Sequence, residues 1–138
     1  MTAKEYLRQL WYLDRAIDIK CKELEKIQAD IGIRQMPDNQ DHIIGSGCPQ
    51  DYVADTVIRM TDMQEKINRM IKKYVELKDI ITDQIEGMEN QTYKDILICR
   101  YVLMQTWEDV AKTIQYDVRH CTRLHGRALQ AFAKQYMS

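Results

Sequence analysis

Residues 107–129 read WEDVAKTIQYDVRHCTRLHGRAL, and the placing of small, apolar and capping residues in this stretch decides the fold. Two short helices are predicted, Trp107 to about Ile114 and Val118 to about Tyr136. Thr106 or its neighbour caps the first, with Glu108 and Asp109 in the first turn, where the helix dipole favours negative charge. Asp117 caps the second. Helices that cross closely at a steep angle need a small residue where their backbones approach, and Ala111 supplies it. Val110, Ile114, Tyr116, Cys121 and Leu124 fall where such a crossing needs apolar contacts. Gln115 stands where the tight turn usually carries glycine, and a left-handed residue with a side chain costs about 1 kcal/mol there. The stretch has the pattern of a helix-turn-helix.

The exposed face of its second helix is predicted to carry Arg119, His120, Thr122, Arg123 and Arg127. Arginine bonds guanine in the major groove through two hydrogens or clamps phosphates, and a threonine hydroxyl can do the latter. A solvated basic helix face is the plain alternative. The apolar pattern immediately upstream favours contact with DNA. A further helix is expected before this unit, from Tyr93 to about Met104, with Thr92 as its cap. It should bury Ile96, Leu97, Tyr101 and either Cys99 or Leu103.

The front of the chain reads differently. Thr2 followed by Glu5 is a capping-box pattern, so a helix is predicted from about Ala3 to Ile31. Leu10, Leu13, Ile17, Leu24, Ile27 and Ile31 recur at three- and four-residue steps, with Cys21 filling in beside Lys20, and Tyr6, Leu7 and Trp11 thicken the first turns. Gly32 is expected to end the helix, and a polar loop follows over about 32–50. A second helix is predicted from near Asp51 to Gly87, with a stripe of Val53, Val57, Met60, Ile67, Tyr74, Leu77, Ile81 and Ile85 and with Met63, Met70 and Ile71 beside it. Two long helices with matched seams imply an antiparallel, coiled-coil-like hairpin. The fold class is therefore all-α, a long hairpin (1–90) followed by a three-helix helix-turn-helix module (91–138). Any stripe left over on the hairpin would pair two copies into a dimer.

Composition agrees with a folded helical chain: 138 residues, 45% apolar and 30% charged, with few glycines and prolines. The net charge of −1 hides an asymmetry. Residues 1–90 carry thirteen Lys and Arg against seventeen Asp and Glu, whereas residues 91–138 carry seven against four. An acidic front and a basic back fit halves that meet different partners. No apolar run approaches the roughly 20 residues of a membrane span, and the amino terminus lacks a signal-peptide pattern. A cytoplasmic protein with no membrane partner is expected.

Catalytic signatures are missing: there is no Gly-rich phosphate loop, no G-x-S-x-G and no H-E-x-x-H. Asp79, Asp83 and Glu86 read as a solvated helix face rather than a two-metal site, and no enzyme is expected. Cys21, Cys48, Cys99 and Cys121 form no C-x-x-C pair and read as free thiols. Cys121 and His125 share a helix face, but a metal would need two more ligands, and only His42 and Cys48 offer themselves. A packed thiol and a surface histidine are the expectation, with no metal and no cofactor. Trp11 and Trp107 read as packing anchors.

A resemblance adds to this reading. Tyr93-Lys-Asp-Ile-Leu-Ile-Cys-Arg-Tyr, Thr106-Trp-Glu-Asp-Val-Ala and Leu124-His-Gly-Arg-Ala-Leu are similar to region 4 of bacterial RNA polymerase sigma factors. There, a helix ending in an arginine and an aromatic residue precedes an acidic helix, and the recognition helix closes on an Arg-Ala-Leu run. The whole chain, with its Met1-Thr-Ala-Lys-Glu-Tyr-Leu opening, resembles the ArpU-like and RinA-like late-gene regulators of Gram-positive phages and prophages. The resemblance implies a transcriptional regulator of double-stranded DNA, with contacts from Asp117, Arg119, His120, Thr122, Arg123 and Arg127. The stripe left over on the hairpin leads to the expectation of a homodimer through the amino-terminal helices, with bacterial RNA polymerase as a further candidate partner. Two readings from other classes compete: a DNA-packaging adaptor like a small terminase subunit, and a structural or interaction protein that no longer binds DNA. Oligomer mass separates the regulator from the packaging adaptor, since paired half-sites need a dimer and packaging a ring.

Overall fold

A computed structural model describes residues 1–34 and 50–137, and these are all-α. Five α-helices follow in order: α1 (Ala3–Arg34), α2 (Gln50–Glu86), α3 (Gln91–Leu97), α4 (Trp107–Ile114) and α5 (Val118–Tyr136). A single π-helical turn, Ile98–Val102, continues α3. The two long helices form a hairpin-like packed pair, and the three shorter ones pack together after it. No described helix is long and apolar enough to cross a membrane. The expected loop over 32–50 lies for the most part outside the described residues.

Helix α1 starts where the capping box predicts. The Thr2 backbone N–H donates to Glu5 Oε2 (2.9 Å), and the Glu5 N–H donates to Thr2 Oγ1 (3.1 Å). The helix does not stop at Gly32 but runs on to Arg34. One interior glycine costs only about 1 kcal/mol, too little to break a long helix by itself.

The chain divides into two compact units. One holds Arg15–Lys72. Its burial follows the heptad: Leu24 and Ile31 on α1 are buried, and Ile17, Cys21 and Ile27 on the same stripe are half-buried. On α2, after half-buried Tyr52, the buried or half-buried positions of this unit are Val53, Thr56, Met60, Met63, Ile67 and Met70, alternating steps of three and four. This corrects the predicted stripe. Val57 is 49% exposed and Thr56 takes its place, because the Thr56 hydroxyl donates to the Tyr52 carbonyl (2.7 Å) and so enters the seam without an unpaired polar atom. Met63 and Met70 are seam residues, not flanking ones.

The other unit holds Met1–Asp14 with Lys73–Ser138. Its larger core joins Ala3, Leu7 and Leu10 of α1, Ile81 and Ile85 of α2, Met88, Leu97 and Tyr101, and Ala128 and Phe132 of α5. The start of α1 lies beside the end of α2, where the Tyr6 hydroxyl donates to Gln84 Oε1 (2.7 Å). A smaller core of Cys99, Val110 and Cys121, with Trp107, Ala111 and Ile114 against it, sits under the α4–α5 crossing.

The π turn explains how one segment feeds both cores. Its wider helical turn, closed by the Leu103 N–H donating to the Ile98 carbonyl (2.9 Å), sends Cys99 into the small core and Tyr101 into the large one. The predicted continuous helix to Met104 is therefore corrected: regular α-helix ends at Leu97, Leu103 is 56% exposed, and Met104 turns left-handed at φ 55°. The cap also moves. Asn90, not Thr92, accepts the Tyr93 N–H through its side chain (3.1 Å).

Candidate nucleic-acid interface

The α4–α5 unit is set by local chemistry at three points. Thr106 Oγ1 accepts the Asp109 N–H (3.2 Å) and starts α4. Gln115 ends it in the left-handed conformation, φ 63° and ψ 39°, with its N–H donating to the Ala111 carbonyl. Asp117 then caps α5, its Oδ1 accepting the His120 N–H (2.7 Å). Ala111 is half-buried and packs on the small core, as a close crossing requires. Val110 and Cys121 are fully buried and Ile114 and Leu124 half-buried, whereas Tyr116 is 43% exposed and does not enter the core.

Tyr116 has another role. Its ring meets the His120 imidazole edge-on, with centroids 4.8 Å apart, and so holds His120 against the turn. Arg119, Thr122, Arg123 and Arg127 are exposed on α5. The first three line a shallow notch, in which the Thr122 hydroxyl donates back to the Arg119 carbonyl (2.9 Å). Among the described residues none of these arginines is paired with a carboxylate. Three unneutralised guanidinium groups at four-residue spacing make one face of α5 a cationic strip. Asp117, the one acid predicted in the set, spends a carboxylate oxygen on its own helix and stands at the edge of that strip.

The fifth helix is braced from behind by an aromatic cluster that sequence reasoning did not assemble. Tyr101 Oη and His125 Nε2 are hydrogen-bonded at 2.8 Å, and their rings stack. Trp107 meets His125 edge-on at 4.9 Å, and Trp11 of α1 stacks on Tyr101 at 5.0 Å. The Arg100 guanidinium lies over both indoles, 4.8 Å from the Trp11 centroid and 4.6 Å from that of Trp107, and donates to the Gln105 carbonyl (2.8 Å). The two tryptophans are thus packing anchors, but around a cation. The pairing of Arg100 with Tyr101 in the sequence was its only visible trace.

Burial, with Lys4, Arg100 and Arg8 nearby, lowers the His125 pKa to about 4. His125 is accordingly a neutral, half-buried bracing residue and not the surface histidine expected, so it adds no charge to the basic half. Its Nε2 is engaged with Tyr101 rather than offered to a metal beside Cys121. The other two ligands considered, His42 and Cys48, lie outside the described residues. Burial also raises the Cys99 and Cys121 pKa values, which keeps both thiols protonated and unreactive.

No family model, curated protein or solved structure matches the chain.

Proposed function

We propose that this chain is a DNA-binding transcriptional regulator of a phage or prophage, with α5 as the recognition helix entering the major groove. The observation that carries the reading is the left-handed Gln115 turn between two side-chain-capped helices, which leaves Arg119, Thr122, Arg123 and Arg127 outward on α5 without counter-ions. A helix-turn-helix presents its second helix in this way, amino-terminal residues towards base edges. The sigma-region-4 resemblance of residues 93–129 supports the same assignment. Roles then divide by position: Arg119, Thr122 and Arg123 in the first two turns reach bases or flanking phosphates, Arg127 clamps the backbone, and Asp117 and His120 set the helix end. The protein acts by binding in the cytoplasm, without cofactor or metal, and not as an enzyme.

The long hairpin brings two copies together or docks on bacterial RNA polymerase. Support comes from the Arg15–Lys72 unit, which exposes Ile19, Val57, Ile58 and Ile71 at between 41% and 59%. Large apolar side chains exposed in such number on one small unit suit an interface.

Replacing both Arg119 and Arg123 with alanine tests the reading. Titrating labelled phage genomic fragments at several salt concentrations, the wild type should bind with a steep salt dependence, and the double variant more weakly with a flatter one. Equal affinities and slopes for the two proteins would remove α5 from the interface.

A further inference from the structure

Helix α2 carries a second stripe beside its seam. Val57, Thr61, Gln64, Asn68 and Ile71 recur at alternating steps of four and three, so they share one helix face, and all five are exposed. None is charged. The other outward positions from Asp55 to Lys72 are charged at every place except Ile58. A face that meets only water has no need to exclude charge, whereas one that packs against protein does, because a desolvated charge is costly.

The polar members of the stripe are arranged for burial. The Thr61 hydroxyl donates to the Val57 carbonyl (3.0 Å), the same back-bond by which Thr56 enters the seam. Gln64 Nε2 donates to Asn68 Oδ1 (3.0 Å). Among the described residues neither amide makes another hydrogen bond, which leaves Gln64 Oε1 as an acceptor and Asn68 Nδ2 as a donor one turn apart. An acceptor and a donor so placed match the same pair turned end over end.

We propose that this stripe docks a second copy of the chain, α2 against α2 and antiparallel, with Gln64 of each copy facing Asn68 of the other. The four amides then close a ring, with one bond inside each helix and two across the interface. The same register sets Thr61, its hydroxyl already satisfied, against Ile71. A parallel partner would instead oppose Gln64 oxygen to Gln64 oxygen and leave the ring open. The match is of the stripe to itself, as a two-fold interface requires. The proposal rests on the reading that the hairpin brings two copies together, and it names the face and the orientation.

Two double variants of the full chain test it by sedimentation equilibrium at micromolar concentration. The wild type should have twice the chain mass. Gln64→Glu with Asn68→Glu places like charges across the interface and should weaken self-association by about a hundredfold or more. Gln64→Glu with Asn68→Lys places opposite charges across an antiparallel interface and should remain dimeric, whereas in a parallel one it would oppose like to like. Both variants lie on an exposed helix face, and circular dichroism verifies that each stays helical. Asp62→Asn, off the stripe, should leave the mass unchanged. A monomeric wild type, a Glu/Glu variant that stays dimeric, or a Glu/Lys variant that dissociates would each overturn the proposal. Salt-sensitive binding of a labelled duplex, measured alongside, keeps the two readings apart: a dimer that ignores DNA fails only the DNA reading, and a monomer that binds DNA fails only this one.

Discussion

Tyr101 and His125, twenty-four residues apart, are hydrogen-bonded through Oη and Nε2 at 2.8 Å. Tyr101 is fully buried, and its pKa is pushed up to about 12, so it remains a neutral phenol at any pH of interest. His125 has the opposite fate, lowered from 6.5 to about 4. The unfolded chain therefore binds a proton between these two values that the folded chain does not. Stability should be intact above pH 6.5 and fall as pH drops towards 4, by on the order of 2 kcal/mol after allowance for the half-exposed ring. Denaturant unfolding at a series of pH values checks this, and His125→Asn should flatten that part of the profile.

The bond itself is open to a simpler test. Tyr101→Phe keeps the stacking on Trp11 and removes the hydroxyl, leaving His125 Nε2 without its partner. A loss of about 1–2 kcal/mol is expected, with the fold retained by circular dichroism.

The core beneath α5 is shared with the ends of the hairpin, and this has a mutational consequence. Leu10 is fully buried in the same cluster as Tyr101 and Phe132. Leu10→Ala should cost about 2–5 kcal/mol and should loosen the carboxy-terminal helices as well as α1. A chain of residues 91–138 alone should lack fixed tertiary structure. Amide exchange in α5 would measure both effects.

These features show what could be read from residues and what could not. The Thr106 and Asp117 caps and the Gln115 turn depend on chemistry within a few positions, and all three were legible. The start of α3 was not, because Asn90 and Thr92 are both good caps. The choice falls to Asn90, extended at φ −79° and ψ 115° two residues after Met88 is drawn into the core. The seam of α2 misled by its composition. Val57 is the more apolar residue, but Thr56 satisfies its hydroxyl on the preceding turn and holds the heptad position. Of the candidate site, the α5 face could be placed from spacing alone. The stack of Trp11, Arg100 and Trp107 could not, since a π turn and a contact between residues far apart in sequence create it.

Gly126 lies on the exposed side of α5, and a methyl group added there would meet nothing within 4 Å. Gly126→Ala should therefore stabilise the protein by about 0.5–1 kcal/mol through helix propensity. A melting temperature raised by a few degrees would bear this out.

Asp117 should act as a cap first. Asp117→Ala should cost about 1 kcal/mol, and Asp117→Asn, which keeps an acceptor for the His120 N–H, much less. Thermal unfolding of the two variants gives the comparison directly.

The central claim is that α5 reads DNA sequence, and selection from randomised duplexes by the full-length protein tests it most directly. Repeated rounds of capture and sequencing should enrich one motif, and Arg123→Ala should relax the preference at particular base positions while leaving weaker, salt-sensitive binding. If no motif were enriched, or if the wild type and the Arg119 and Arg123 double variant recovered the same sequences, α5 would not be a recognition helix.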